Sequence, residues 1–267
     1  MCDTCGCNIT PGNAETEEGR EAVTVLRNLL HENDHVAAHN REHFDGHGVL
    51  AINLMSSPGA GKTALLEATI QALAGKYRCA VLEGDLETEN DAERIRRHGV
   101  PAIQITTGSA CHLDAHMVHD ALHRFDLEAI DLLFIENVGN LVCPASFDLG
   151  QHLNVTLLSV PEGDDKPAKY PVMFRAADLV LLTKTDLLQW LEEFSPGRAE
   201  HALRNLATPA PLLQVSVKEA QSLEPWLQWL DGQVAAHAAR LASGETRVPA
   251  IQPDGRALHG HSHHHHP

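Results

Sequence analysis

An apolar run, Val49 to Met55, leads directly into Ser56-Ser-Pro-Gly-Ala-Gly-Lys-Thr63, and the stretch after it, Ala64 to Leu73, is rich in good helix formers. A strand, a glycine turn and a helix in that order constrain this chain more than any other feature. Glycines let backbone N–H groups close around phosphate oxygens, and the start of the helix adds a favourable dipole. Gly59, Ala60 and Gly61 supply the turn; Lys62 is placed to reach the outer phosphates and Thr63 to ligate Mg²⁺. Ser56 stands where the usual pattern has its first glycine.

Such a loop needs a strand end beside a helix start, and the rest of the chain repeats that arrangement. Further short apolar runs lie at Cys79 to Leu82, Ala102 to Ile105, Asp131 to Ile135, Asn154 to Val160, Asp178 to Leu182 and Pro211 to Val215, with helix-like stretches between them. This alternation predicts an α/β fold, a mostly parallel sheet with helices on both faces. Four regions follow from composition: a Cys-rich arm over 1–14, an amphipathic helix within 15–47 ended by Gly46 and Gly48, a nucleotide-binding domain over 48–242, and a disordered His-rich tail over 243–267.

The base should be read by Thr183-Lys-Thr-Asp186 at the end of the sixth run. A carboxylate at Asp186 accepts from guanine N1–H and its 2-amino group, a donor pair that adenine lacks, while the Lys184 stem lies along the base. Thr183 replaces the more usual Asn and is expected to loosen the base loop; a helix cap is the alternative reading of this segment. Ser216-Val-Lys218 is a weak candidate for a backbone N–H to guanine O6. Asp85 and Glu136 close two intermediate strands, where α/β sheets present ligand-facing groups. Asp85 is a candidate for positioning Mg²⁺ or the attacking water, and Gly139 of Glu136-Asn-Val-Gly139 for sensing the γ-phosphate.

Metal chemistry is the second theme. Cys2, Cys5 and Cys7 form C-x-x-C-G-C, three soft donors able to wrap Zn²⁺ or Ni²⁺, with a redox pair as the alternative. Cys111, His112 and Cys143 lie in loops at one sheet edge, either as packing residues or as a shared metal site. The 19 histidines include a stripe at 31, 35, 39, 43 and 47 and another at 116, 119 and 123, readable as solvated faces or as weak metal buffers. The terminal histidines read as an engineered tag or a natural buffer. Lys+Arg 20 against Asp+Glu 36 gives a net charge of −16, which repels nucleic acid and anionic lipid. Aromatics at 4% leave little for base stacking. The N-terminus lacks a secretory pattern and no window is apolar enough to span a membrane, so a cytoplasmic location with reduced thiols is expected.

Together with Gly108-Ser-Ala-Cys-His-Leu-Asp-Ala115 and Glu162-Gly-Asp-Asp-Lys-Pro-Ala-Lys-Tyr-Pro171, these motifs resemble the HypB family, nickel-incorporation GTPases of nickel–iron hydrogenase maturation in the SIMIBI class of P-loop proteins. The resemblance covers about residues 30 to 220 and the N-terminal cysteines. It implies slow GTP hydrolysis to GDP, a nucleotide- and metal-linked homodimer, tight nickel binding at Cys2, Cys5 and Cys7, and a nickel or zinc site at Cys111, His112 and Cys143. It also implies work with the nickel chaperone HypA on the hydrogenase large subunit. Nickel storage and urease maturation are the competing functions.

Overall fold

The computed structural model describes residues 17–85, 90–108, 110–206 and 208–251, with side chains from Leu30 onward. Cys2, Cys5, Cys7 and the terminal histidines lie outside the described residues. Helix α1 (Glu17–His47) precedes seven strands: β1 (Leu50–Ser56), β2 (Cys79–Asp85), β3 (Ala102–Thr106), β4 (Leu132–Glu136), β5 (Leu153–Ser159), β6 (Leu179–Thr183) and β7 (Leu212–Gln214). All are parallel, in the order β3-β2-β4-β1-β5-β6-β7. Each of the seven apolar runs is a strand, with ends shifted by a few residues.

The remaining helices are α2 (Lys62–Leu73), α3 (Asn90–Arg96), α4 (Ala115–Leu122), the short α5 (Lys166–Lys169) and α6 (Pro171–Arg175), α7 (Pro196–Asn205) and α8 (Glu224–Ala242). Their starts are written locally: Asp114 accepts from Met117 N to cap α4, and Ser195 accepts from Arg198 N before Pro196 in α7.

Side-chain alternation along β1 divides the core. Leu50, Ile52 and Leu54 face α2 and α8 residues such as Leu66, Ile70, Trp226 and Leu230, while Val49 and Ala51 join Phe44 of α1 and Val118 of α4 on the other side. Each fully buried Leu or Ile contributes about 1.5–3 kcal/mol. Trp226 Nε1 donates to Thr69 Oγ1 at 2.9 Å, so its buried N–H is satisfied.

Helix α1 docks mainly through polar groups. Arg41 reaches both oxygens of Asp148 at 2.7 Å, Asn33 donates to Asp148 O and accepts from Ala115 N, and Asn40 donates to Ala115 O and Leu149 O. Gly150, at φ +91°, lets the helix approach; a Cβ there would lie 2.5 Å from Asn40 Cβ. Because β1 occupies the sheet centre, the loop after it sits among the carboxyl ends of β2, β4 and β6, where an open α/β sheet binds its ligand.

Candidate functional site

Gly59 and Gly61 take φ +75° and +101°, left-handed conformations that let the backbone curl before α2 begins at Lys62. Lys62 and Thr63 are buried, and Lys62 Nζ donates to Ser56 Oγ at 3.1 Å. The serine in place of the usual glycine is thus a resting partner for the loop lysine. Ser57 Oγ donates to Glu162, whose other oxygen accepts from Ser159 N and Oγ at 2.9 and 2.6 Å. That bond gives Glu162 a role, holding the phosphate loop from the end of β5, that its motif alone did not disclose.

A cavity of about 440 Å³ opens over this loop, lined in part by Gly59, Gly61, Lys62, Thr63, Asp85, Glu136 and Gly139, with Asp91 and Arg94 at its side. Thr63 Oγ1 donates to Glu136 Oε1 at 2.9 Å. Across the β2–β4 register Glu136 faces Glu83, which the sequence reading missed because it lies inside an apolar strand. Burial, and then Glu136, pushes the Glu83 carboxyl far above the ordinary carboxylate range. Glu136 is also raised, by burial, against the opposing effect of Lys62. The pair therefore holds a proton at neutral pH. Glu83 Oε2 and Glu136 Oε2 are buried and find no hydrogen-bond partner among the described residues. Two orphaned carboxylate oxygens beside a buried hydroxyl and a lysine suit a cation–phosphate ligand, so the residues fit Mg²⁺ with a nucleotide. Gly139 has no room for a side chain: a Cβ would come within 2.8 Å of Pro58 Cα. Absence of a Cβ is what lets the loop after β4 touch the phosphate loop.

An adjoining cavity of about 310 Å³ shares Gly61 and Lys184 with the first and continues past Thr183, Asp186, Leu187, Val215, Val217 and Lys218. Lys184 is the non-glycine residue with positive φ among the described residues, 58°, and its Nζ donates to Gly59 O at 2.6 Å. Thr183 Oγ1 donates to Ala60 O at 2.7 Å. Ser216 Oγ donates to Asp186 Oδ1 at 2.7 Å, and Lys218 Nζ lies 3.1 Å from Oδ2. The Ser216 bond, followed by Lys218, holds the Asp186 carboxyl below its ordinary value, which favours the ionised, hydrogen-bond-accepting form. Within the Ser216-Val-Lys218 segment, Ser216 N donates to Ser222 Oγ at 2.8 Å, and the Ser216 hydroxyl orients Asp186.

The structure brings Cys111, His112 and Cys143 together. Their donor atoms all lie within 4.8 Å of one another, with Cys111 Sγ 3.1 Å from Cys143 Sγ and 3.7 Å from His112 Nδ1. His112 stacks on Phe147 at 3.9 Å, and burial lowers its pKa, keeping a ligating lone pair available. Two thiols and one imidazole suit Ni²⁺ or Zn²⁺ and leave a coordination position for a further donor.

Asn137 joins this cluster to the phosphate cavity, and motif reading assigned it no role. Its Oδ1 accepts from Leu113 N at 3.2 Å and its Nδ2 donates to Asn53 Oδ1 at 3.2 Å, while Asn140 Oδ1 accepts from Val142 N and Cys143 N. A third group, Asp45, His152 and His237, also lies within 4.8 Å. His152 Nδ1 accepts from Ala51 N, so its Nε2 keeps the proton and donates to Asp45 Oδ1 at 3.0 Å. That tautomer ties α1 to the sheet and leaves His152 no lone pair for a metal.

Residues 50–214 match the family described as CobW/HypB/UreG, nucleotide-binding domain. The chain is 48% identical over 236 residues to the hydrogenase maturation factor HypB of Azotobacter vinelandii, covering 88% of this chain and 76% of that one. It is 49% identical over 208 residues to the hydrogenase/urease maturation factor HypB of Helicobacter hepaticus, covering 76% and 85%. The crystal structure of HypB from Helicobacter pylori in complex with nickel superposes with a TM-score of 0.73 at 44% identity, over 77% of this chain and 96% of that one. That of HypB from Archaeoglobus fulgidus superposes with a TM-score of 0.72 at 38% identity, over 77% and 100%. A phosphate loop and a thiol–imidazole cluster on one parallel sheet agree with that relationship: the chain belongs to the CobW/HypB/UreG family and, within it, to HypB.

Proposed function

We propose that the protein is a slow, Mg²⁺-dependent GTPase that couples its nucleotide state to nickel held at Cys111, His112 and Cys143, and so regulates nickel insertion into the hydrogenase large subunit. The observation that carries this reading is Asn137, which follows Glu136 directly and hydrogen-bonds the backbone of Leu113, next to the metal-site histidine. A γ-phosphate that draws the loop of Glu136 and Gly139 toward Lys62 shifts Asn137 and hence the Cys111–His112 loop. Mg²⁺, when bound, neutralises charge on the transferring phosphoryl group. Thr63 and Asp85 are its proposed protein anchors, Lys62 leaves Ser56 for the phosphates, and Asp186 selects guanine. Cys2, Cys5 and Cys7 are proposed as the tight nickel site, and Zn²⁺ as an alternative occupant of the internal one. Partners are the nickel chaperone HypA and a second copy of the chain, working in the cytoplasm. Among the described residues no helix is long and apolar enough to cross a membrane.

The test is turnover of GTP and ATP by the metal-stripped full chain with Mg²⁺, alongside Ni²⁺ affinity measured with GDP and with a non-hydrolysable GTP analogue. GTP-selective turnover and a nucleotide-dependent nickel affinity are expected. No turnover of either nucleotide by folded protein supports nickel storage instead. The name of the Helicobacter hepaticus relative favours a second reading, urease maturation. Rescue of urease but not hydrogenase in a deletion strain would establish it.

A further inference from the structure

The two histidine stripes converge. Helices α1 and α4 pack side by side, and the rings of His39 and His43 on one meet that of His119 on the other, with centroids at 5.3 and 6.1 Å, while His123 meets His119 at 4.8 Å. We propose that His39, His43, His119 and His123 form an imidazole-only site for one first-row divalent cation, separate from the thiolate cluster and the nucleotide cavity, with His47 at its lip.

Three observations carry this. Within each helix the i, i+4 nitrogens already lie at chelating separation: Nε2 to Nε2 is 3.2 Å for His39–His43 and 3.3 Å for His119–His123. A tetrahedral cation with metal–nitrogen bonds of about 2.05 Å places its donors about 3.3 Å apart. Second, the protein fixes two tautomers in the ligating sense. Asn40 spends its Nδ2 on Ala115 O and Leu149 O, so its Oδ1 must accept from His119 Nδ1, at 2.9 Å, which leaves His119 Nε2 as a lone pair. His47 Nδ1 likewise donates to His43 O at 2.8 Å, freeing its Nε2. Third, a cavity of about 300 Å³ opens at this junction, lined by His43, His47, His119 and His123, with the carboxylates of Asp126 and Glu128 on its wall. Those carboxylates favour a divalent charge without competing for the imidazoles. An imidazole set of this kind takes Ni²⁺, Zn²⁺ or Co²⁺ and rejects Mg²⁺ and Ca²⁺.

The experiment is a double-mutant cycle in the full chain with Ni²⁺ as the probe. Metal per chain is measured at buffered free Ni²⁺ for wild type, H43A, H123A and H43A/H123A, with H31A/H116A as the off-cluster control. Each single variant is expected to weaken the same ion at least about tenfold, the double variant to lose one equivalent, and the control to lose none. Co²⁺ bound at this site should show d–d bands without thiolate charge transfer, and those bands should vanish in H43A/H123A. Loss of two equivalents in the double variant would mean that each helix chelates alone, and equal loss in the control would mean diffuse binding by surface histidines; either result overturns the proposal, as does unchanged metal content. The substituted positions lie on helix surfaces and alanine favours helix, so retained circular dichroism distinguishes a lost ligand from a lost fold.

Discussion

Thr183 Oγ1 donates a 2.7 Å hydrogen bond to the carbonyl of Ala60, tying the end of β6 to the turn that cradles phosphate. Lys184, the next residue, donates to Gly59 O in the same turn. The loop after β6, proposed to read the base, and the phosphate loop are therefore one mechanical unit, and the threonine standing in for the usual asparagine supplies a link of its own. Thr183→Val removes the donor but keeps the shape. Nucleotide affinity should fall by about 1 kcal/mol, roughly fivefold, whereas Thr183→Asn should retain it. Titration with a fluorescent GTP analogue measures both.

The proposed base selection rests on Asp186, oriented by Ser216 and Lys218. Asp186→Asn turns a double acceptor into a group with one acceptor and one donor facing guanine's two donors. GTP should weaken by about 2 kcal/mol or more, roughly thirtyfold, with ATP little changed. Equal GTP affinity in wild type and variant, read by calorimetry, would remove Asp186 from base reading.

Cys111→Ser with His112→Ala should release one nickel per chain and leave the binding contributed by Cys2, Cys5 and Cys7. Competition against a chromophoric chelator reads that stoichiometry. Unchanged stoichiometry would sink the internal site.

Glu83 gives a pH signature. Its folded-state carboxyl is raised by burial and by Glu136, while the unfolded chain releases that proton near 4.5. Above about pH 4.5 the folded state holds more protons than the unfolded one, so this residue makes stability fall as pH rises. Glu83→Gln mimics the protonated acid. Urea denaturation from pH 5 to 9 should show the variant gaining on wild type toward the alkaline end, by at least about 1 kcal/mol at pH 9.

His237 acts in the opposite direction. Burial lowers it to about 4 from 6.5, so between those values the unfolded chain binds more protons and stability is lost as pH falls. His237→Phe should flatten the decline between about pH 6.5 and 4 in the same assay.

The strands, the phosphate loop and the order of the motifs were legible in the sequence because each is a local pattern. Val49 to Met55 alternates between two buried faces, and glycines at 59 and 61 occur where the backbone must turn left-handed. Grouping Cys111 and His112 with Cys143 from their places after β3 and β4 also agrees with the geometry, since parallel strands deliver their following loops to one edge of the sheet even with β2 between them. What local patterns do not encode is pairing between strands distant in sequence. Glu83 is an isolated acid in an apolar run until the β2–β4 register sets it against Glu136. Ser216 offers a backbone N–H until the tertiary fold places Ser222 beside it. Asn33, Asn40 and Arg41, which no motif in the sequence singles out, are the buried polar contacts that dock α1, and that docking carries one row of histidines to another. Sequence by itself determined the parallel α/β sheet and its nucleotide loop, whose patterns repeat over a few residues. Only tertiary structure decided which carboxylates share a proton and which imidazoles meet, because burial and distance between remote segments set those properties.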